Sequence, residues 1–99
     1  MIFETASLTI DPARAEPFEA AVAACAPLFQ AAKGCRSMQL EREIEDPSRY
    51  LLRIGWDSVE DHMIGFRESE AFQQWRATVG SFFVAAPVVG HHQIVVVGF

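Results

Sequence analysis

The chain opens with a run in which apolar and polar residues alternate. Within residues 2–10, one side of an extended backbone carries Ile2, Ala6, Leu8 and Ile10, and the other carries Phe3, Thr5, Ser7 and Thr9. A period of two is typical of a strand with one buried face. Asp11-Pro12 predicts that the strand ends here and that a helix begins, with Asp as its N-cap.

The next segment has a helical period. One stripe of apolar residues consists of Phe18, Val22, Cys25 and Phe29. This spacing predicts an amphipathic helix, and Lys33-Gly34 predicts its end. Two prolines interrupt the pattern. We expect Pro17 to separate a lead-in turn from the main helix, and Pro27 to bend or end the helix before Gly34.

Two extended runs, residues 35–45 and 49–56, follow the helix. Asp46-Pro47-Ser48 lies between them and favours a tight turn, so the two runs predict a hairpin. The apolar face of its first strand carries Met38, Leu40 and Ile44, and that of its second strand carries Tyr50, Leu52, Ile54 and Trp56.

Residues 59–79 predict a short helix, a break and a longer helix. Ser58 can cap the first helix, and a second cap lies around residues 67–69. The apolar face of the short helix carries Val59, His62, Met63 and Phe66, and that of the long helix carries Phe72, Trp75 and Val79. Gly80 ends the pattern.

The last run, residues 88–99, is apolar on both alternating faces and predicts a strand that is buried on both sides. The full order is therefore β-α-β-β-α-β. This order predicts an α+β, ferredoxin-like split βαβ fold: a single domain over residues 1–99, with a four-stranded antiparallel sheet and helices on one face. The other face is left bare, and we expect a second copy of the chain to cover it as a homodimer.

Composition supports a pocket or a subunit interface, because 51% of the 99 residues are hydrophobic and 11% are aromatic. The net charge of −5, with scattered basic residues, argues against nucleic-acid binding. No apolar run is long enough for a membrane span, and the N-terminus does not resemble a signal peptide. Cys25 and Cys35 lack CxxC spacing. We therefore expect a cytoplasmic protein with reduced thiols.

Several side chains are candidates for chemistry. His62 is either a general base in a pocket or a core histidine with a satisfied hydrogen bond. Phe72 and Trp75 can stack on a flat substrate or simply form core, and Arg76 can hold an anionic group or face solvent. His91 and His92 are adjacent on a strand and point to opposite faces, so we expect no metal site and only one inward ring.

The ordered set of these features resembles the antibiotic biosynthesis monooxygenase family over essentially the whole chain. The matching features are Gly34-Cys35, residues 46–50, Trp56-Asp57-Ser58, His62, Phe66, Ser69, Phe72, Trp75, Pro87-Val88 and His91. The resemblance implies a dimeric α+β barrel with a small pocket between the helices and the sheet of each protomer. It also implies oxidation of aromatic phenols by dioxygen without a metal or flavin cofactor.

The resemblance also implies where this chain departs from its relatives. His62 and Phe66 stand at the positions of an asparagine and a tryptophan in cofactor-free oxidases of the family. Arg76 stands in the place of the haem-binding histidine of haem-degrading relatives, which disfavours haem cleavage.

The resulting hypothesis is a cofactor-independent monooxygenase of a small aromatic or quinol-like metabolite, with His62 as base or orienting group. The expected substrate-binding residues are Phe66, Phe72, Trp75, Arg76, Met38, Leu52, Ile54 and Phe82. Two alternatives stay open: a small-ligand binding or stress-response module without turnover, and a non-oxidative isomerase or tautomerase.

Overall fold

The computed structural model describes residues 1–99. The strands are β1 (Ile2–Thr9), β2 (Cys35–Arg42), β3 (Arg49–Trp56) and β4 (Val88–His92). The helical segments are α1 (Ala15–Gln30), a π-helical turn (Asp61–Phe66) and α2 (Glu70–Val79), with 3₁₀ turns at Pro12–Arg14 and Gly80–Phe82. The strands form one antiparallel sheet in the order β2-β3-β1-β4, and the helices cover one of its faces. The predicted ferredoxin-like α+β fold is confirmed.

The core lies between the two central strands and the apolar stripe of α1. All four residues predicted for the inward face of β3 are buried: Tyr50, Leu52, Ile54 and Trp56. They pack with Phe18 and Phe29 of α1 in one cluster. Each fully buried Leu, Ile or Phe side chain contributes about 1.5–3 kcal/mol, so this layer is the main source of stability.

The predicted caps and the hairpin turn are present. The backbone N–H of Ala13 donates to Asp11 Oδ1 at 3.0 Å, that of Asp61 to Ser58 Oγ at 3.1 Å, and that of Phe72 to Ser69 Oγ at 3.3 Å. In the hairpin, the N–H of Arg49 donates to the carbonyl of Asp46 at 3.0 Å. Each of these bonds satisfies a backbone donor at the start of a helix or within a turn.

The expectation for Pro17 was wrong. Helix α1 runs without a division from Ala15 through Pro17, because the first turn of a helix does not use the backbone N–H that proline lacks. Pro27 also lies inside α1, and the helix ends three residues later at Gln30. The helix therefore ends before Gly34, as predicted, and Gly34 has a φ of 81°.

The prediction of a strand through residue 99 was also wrong. Strand β4 ends at His92, which pairs with Phe3 near the beginning of β1. Residues 93–99 lie outside the sheet. Their apolar side chains are exposed, with Val95 at 82% and Val96 at 80%.

Three further positions differ from the predicted pattern. Strand β2 ends at Arg42, so Ile44 lies in the hairpin loop and is 93% exposed instead of facing the core. In the short helix, His62 and Phe66 are buried, whereas Val59 and Met63 are partly exposed. The π-helical geometry, rather than a regular α-helical turn, narrows the buried face to two residues.

No helix in the structure combines the length and apolar character that crossing a membrane requires.

Candidate active site

Glu4 is a carboxylate on the inward face of β1, between the sheet and the helices. Its Oε1 accepts a hydrogen bond from the indole Nε1 of Trp56 at 3.0 Å and lies 3.1 Å from Nε2 of His62. No protein group bonds to its other oxygen, Oε2. Every fully buried side-chain nitrogen or oxygen in the structure has a partner, so Oε2 is not fully buried, and Glu4 lines the adjoining cavity.

His62 reaches Glu4 from the π-helical turn. The backbone N–H of Arg67 donates to the carbonyl of His62 at 3.0 Å, an i to i+5 bond that defines the turn. The imidazole stacks on Trp56, with ring centroids 5.5 Å apart and 22° between the planes. Its Nδ1 lies 2.8 Å from Nε2 of His91, so both ring nitrogens of His62 have polar neighbours within the chain.

Burial shifts the pKa values of His62 and Glu4 in opposite directions. Desolvation lowers the pKa of His62 to about 4, with smaller contributions from the charges of His91 and Arg67. Desolvation raises the pKa of Glu4, against the hydrogen bond from Trp56 and the charge of Arg67. His62 is therefore neutral near pH 7, and Glu4 is a stronger base than an exposed carboxylate.

The neutral state of His62 leaves it one donor and one acceptor nitrogen. An ionised Glu4 favours the tautomer of His62 that carries its proton on Nε2, and in that tautomer Nδ1 accepts from Nε2–H of His91. His62 then has no free lone pair for a substrate proton. The oxygen that keeps a free lone pair beside the cavity is Oε2 of Glu4.

A cavity of about 390 Å³ adjoins this pair, between the sheet, the π-helical turn and α2. Its polar wall is formed by Glu4, His62, Arg67 and Arg76. Its apolar wall includes Leu52, Phe72, Trp75 and Phe83. The volume and the mostly apolar lining with a few convergent polar groups are typical of a small-molecule site.

The structure brings five of the predicted site residues to this cavity: His62, Phe72, Trp75, Arg76 and Leu52. The other four lie elsewhere. Phe66 is buried behind Phe72, with ring centroids 5.8 Å apart, and Ile54 is fully buried in the core. Met38 borders separate depressions beside α1 and β2, and Phe82 packs on Phe18 at 5.7 Å between centroids.

The two neighbouring histidines of β4 point to opposite faces, as the strand period predicts. His91 contacts His62 on the inward face. His92 contacts Thr5 on the other face, with Nδ1 3.0 Å from Oγ1. No group of three or more His, Cys, Asp or Glu side chains is placed to hold a metal ion.

Sequence reasoning missed two polar residues of the site, Glu4 and Arg67. Glu4 has the same strand parity as Ile2, Ala6 and Leu8, so it is a lone carboxylate in an otherwise apolar face, and that pattern was available in the sequence. Arg67 had no such signal. It reaches the cavity because the π-helical turn brings residues five apart close together, and this turn type is not evident from the sequence.

The family comparison agrees with this architecture. Residues 1–78 match the family model described as antibiotic biosynthesis monooxygenase. The chain belongs to the antibiotic biosynthesis monooxygenase family. The chain is 36% identical to the uncharacterised protein YczJ of Bacillus subtilis (strain 168) over 93 residues, which cover 94% of this chain and 98% of YczJ.

Two solved structures superpose closely on the chain. A protein from Bordetella bronchiseptica that has been assigned as an antibiotic biosynthesis monooxygenase has 46% identity to this chain and a TM-score of 0.93. The match covers 96% of this chain and 97% of that chain. SnoaB, a cofactor-independent oxygenase from Streptomyces nogalater, has 16% identity and a TM-score of 0.77, with 98% and 95% covered. The likeness to SnoaB shows a shared fold alone.

Proposed function

We propose that this member of the antibiotic biosynthesis monooxygenase family is a cofactor-independent monooxygenase of a small aromatic or quinol-like metabolite. The observation that carries the proposal is the contact of Glu4 with His62 at one wall of a cavity that also has aromatic walls. Such a site combines a base with a flat apolar surface. Membership of the family supports the reaction class.

The proposed reaction is balanced without an added reductant. A phenol or anthrone loses a proton, and the resulting anion transfers an electron to dioxygen. The two radicals then combine to form a carbon–oxygen bond. Cleavage of the oxygen–oxygen bond leaves one oxygen atom in the product as a quinone carbonyl. The other oxygen leaves as water with two hydrogens of the substrate, so the substrate supplies all four electrons.

The side chains have separate roles in this proposal. Oε2 of Glu4 accepts the substrate proton, because it faces the cavity and its pKa is raised by burial. His62 and Trp56 orient that carboxylate through their contacts with Oε1. Phe72 and Trp75 form the flat walls against which an aromatic ring stacks. The apolar walls shield the aromatic ring of the substrate anion from water, which favours electron transfer.

We further propose that the active form is a homodimer. Apolar side chains are exposed on β4 and the segment after it: Val88, Val89, Ile94, Val95, Val96, Val97 and Phe99. Exposed apolar patches of this kind mark protein interfaces. The other face of the sheet has no covering layer within the chain, so a second copy can cover both surfaces together.

Oxygen consumption with a panel of naphthols and anthrones tests the proposed activity. We expect uptake by the wild type and its loss in His62→Ala, which removes the contact to Glu4. Gln73→Ala is the matched control, because Gln73 is exposed on α2 and does not line the cavity. Ligand-induced thermal stabilisation without oxygen uptake would favour a binding module. Product formed under strict anaerobiosis would favour an isomerase or tautomerase and contradict the proposal.

A further inference from the structure

The arginines of this chain divide into those with carboxylate partners and those without. Four of the seven form ion pairs: Arg36 with Asp57, Arg42 with Glu19, Arg49 with Glu43, and Arg53 with Glu41. No carboxylate lies within 4.0 Å of Arg14, Arg67 or Arg76. Two of these three, Arg67 and Arg76, line the same cavity. Arg67 and Arg76 thus lie at one cavity without an ion pair in a chain with 13 acidic residues, and the charge of Arg67 also acts on Glu4.

The two guanidinium groups share one aromatic side chain of the cavity wall. Cζ of Arg67 lies 5.5 Å from the centroid of the Phe72 ring, and Cζ of Arg76 lies 5.9 Å from it. Stacking on an aromatic ring holds a guanidinium group while leaving its N–H donors free at the edge. Two such groups can bind the oxygens of one anion through charge-assisted hydrogen bonds.

The other two polar residues of the cavity wall, Glu4 and His62, do not attract an anion. Glu4 presents Oε2 to the cavity and would repel a second anion, but it accepts a hydrogen bond from a hydroxyl group. His62 is neutral and adds no positive charge there. A ligand that fits both parts carries a hydroxyl group at one position and a negative charge at another.

We propose that the cavity binds a small hydroxylated aromatic anion, with its hydroxyl group at Glu4 and its anionic substituent at Arg67 and Arg76. The oxidation of such a ligand rests on the proposed monooxygenase function, whereas its binding does not. The cavity of about 390 Å³ has room for a ring system of one or two fused rings, and Phe72 and Trp75 stack against that system.

Calorimetric titration under nitrogen with three matched probes tests this inference. The probes are 6-hydroxy-2-naphthoate, which has both substituents, 2-naphthol, which lacks the anion, and 2-naphthoate, which lacks the hydroxyl group. We expect hydroxynaphthoate to bind at least about tenfold tighter than either of the other two, the scale expected for a charge-assisted hydrogen bond. Equal or tighter binding of naphthol, or no measurable binding of hydroxynaphthoate, would overturn the proposal.

Arginine variants identify the groups that recognise the anion. Arg67→Gln and Arg76→Gln are each expected to remove most of the preference for hydroxynaphthoate over naphthol. Arg14→Gln is the matched control. Arg14 also lacks a carboxylate partner and stacks on a phenylalanine, with Cζ 4.2 Å from the Phe82 ring centroid, but it does not line the cavity. An equal loss of preference in all three variants would contradict the assignment to this cavity.

Oxygen uptake, measured separately, distinguishes failure of this inference from failure of the proposed function. Preferred binding of hydroxynaphthoate without oxygen uptake from any phenol would refute the monooxygenase and support the ligand class. Oxygen uptake with naphthols, combined with no preference for the anionic probe, would support the monooxygenase and refute the ligand class. The comparison of probes uses the wild type, so it does not depend on the folding of a variant.

Discussion

His62 Nε2 lies 3.1 Å from Glu4 Oε1, and the two side chains are only 3% and 9% exposed. Burial makes it costly for either group to carry a charge without a partner. The imidazole is therefore kept neutral, and the Glu4 carboxylate is stabilised by the hydrogen bond from Trp56 and by the charge of Arg67. Glu4 is thus a base at the wall of a cavity, with a second oxygen that has no hydrogen-bond partner within the chain.

Glu4→Gln should lower kcat by between about a hundredfold and ten-thousandfold, the range expected for loss of a general base. The amide oxygen can still accept the hydrogen bond from Trp56, so the fold should be retained. Steady-state oxygen uptake with an anthrone or naphthol checks this. Glu16→Gln is the control, because Glu16 is an exposed acid on α1 away from the cavity. Unchanged kcat in Glu4→Gln would remove Glu4 from the mechanism.

The pH dependence of stability should carry the signature of His62. Its pKa is about 4 in the folded chain and near 6.5 when unfolded, so between these values the unfolded chain binds the proton more readily. The contribution of His62 to the free energy of unfolding is at its maximum above pH 6.5. It falls by roughly 3 kcal/mol as the pH is lowered toward 4. Glu4, whose pKa is raised, acts in the opposite direction and loses its contribution as the pH rises.

Urea unfolding of the wild type and of His62→Gln, compared between pH 4 and 7, isolates the histidine contribution. We expect the free energy of unfolding of the wild type to fall more steeply toward pH 4 than that of the variant. Parallel curves for the two proteins would mean that His62 titrates normally in the folded state.

Much of the fold was predictable because its signals are local. Alternation over residues 2–10 identified β1, and Asp46-Pro47-Ser48 identified the hairpin turn. The length of β4 was not predictable from its own residues, because it depends on where β1 begins. A strand continues only while a neighbouring strand offers backbone partners, and β1 begins at Ile2.

The candidate site was predicted only in part, for a similar physical reason. His62 stood out as a polar residue in an apolar face, and the helix spacing grouped it with Phe72 and Trp75. Glu4 is distant in sequence and meets His62 only through the packing of β1 under the π-helical turn. Met38, on the predicted apolar face of β2, lies at an edge of the sheet and does not reach the cavity.

Gly34→Ala should destabilise the fold by at least about 1–2 kcal/mol, since the left-handed backbone disfavours a side chain there. Gly34 has a φ of 81°, and a Cβ atom would collide with the carboxylate of Asp61, at the start of the π-helical turn. Gly80→Ala is the control, because no atom lies within 4 Å of its added Cβ. Thermal unfolding checks the pair, and equal melting temperatures would contradict the prediction.

Val96→Asp should weaken the proposed homodimer, because a charge would be buried in the apolar contact. Analytical ultracentrifugation over a range of concentrations measures the change in dissociation constant. Ile64→Asp is the control. Ile64 is also exposed, at 58%, but lies on the π-helical turn in the helical layer. A wild type that is monomeric at all concentrations, or equal weakening by both substitutions, would contradict the proposed interface.

Reaction with isotopically labelled dioxygen tests the central claim most directly. An oxidisable anthrone or hydroxynaphthoate is incubated with the wild type and with Glu4→Gln, and the product is analysed by mass spectrometry. We predict that the wild type inserts one labelled oxygen atom into each quinone product, far faster than Glu4→Gln, with no added metal, flavin or reductant. A quinone oxygen derived from water, or equal rates in the two proteins, would contradict it.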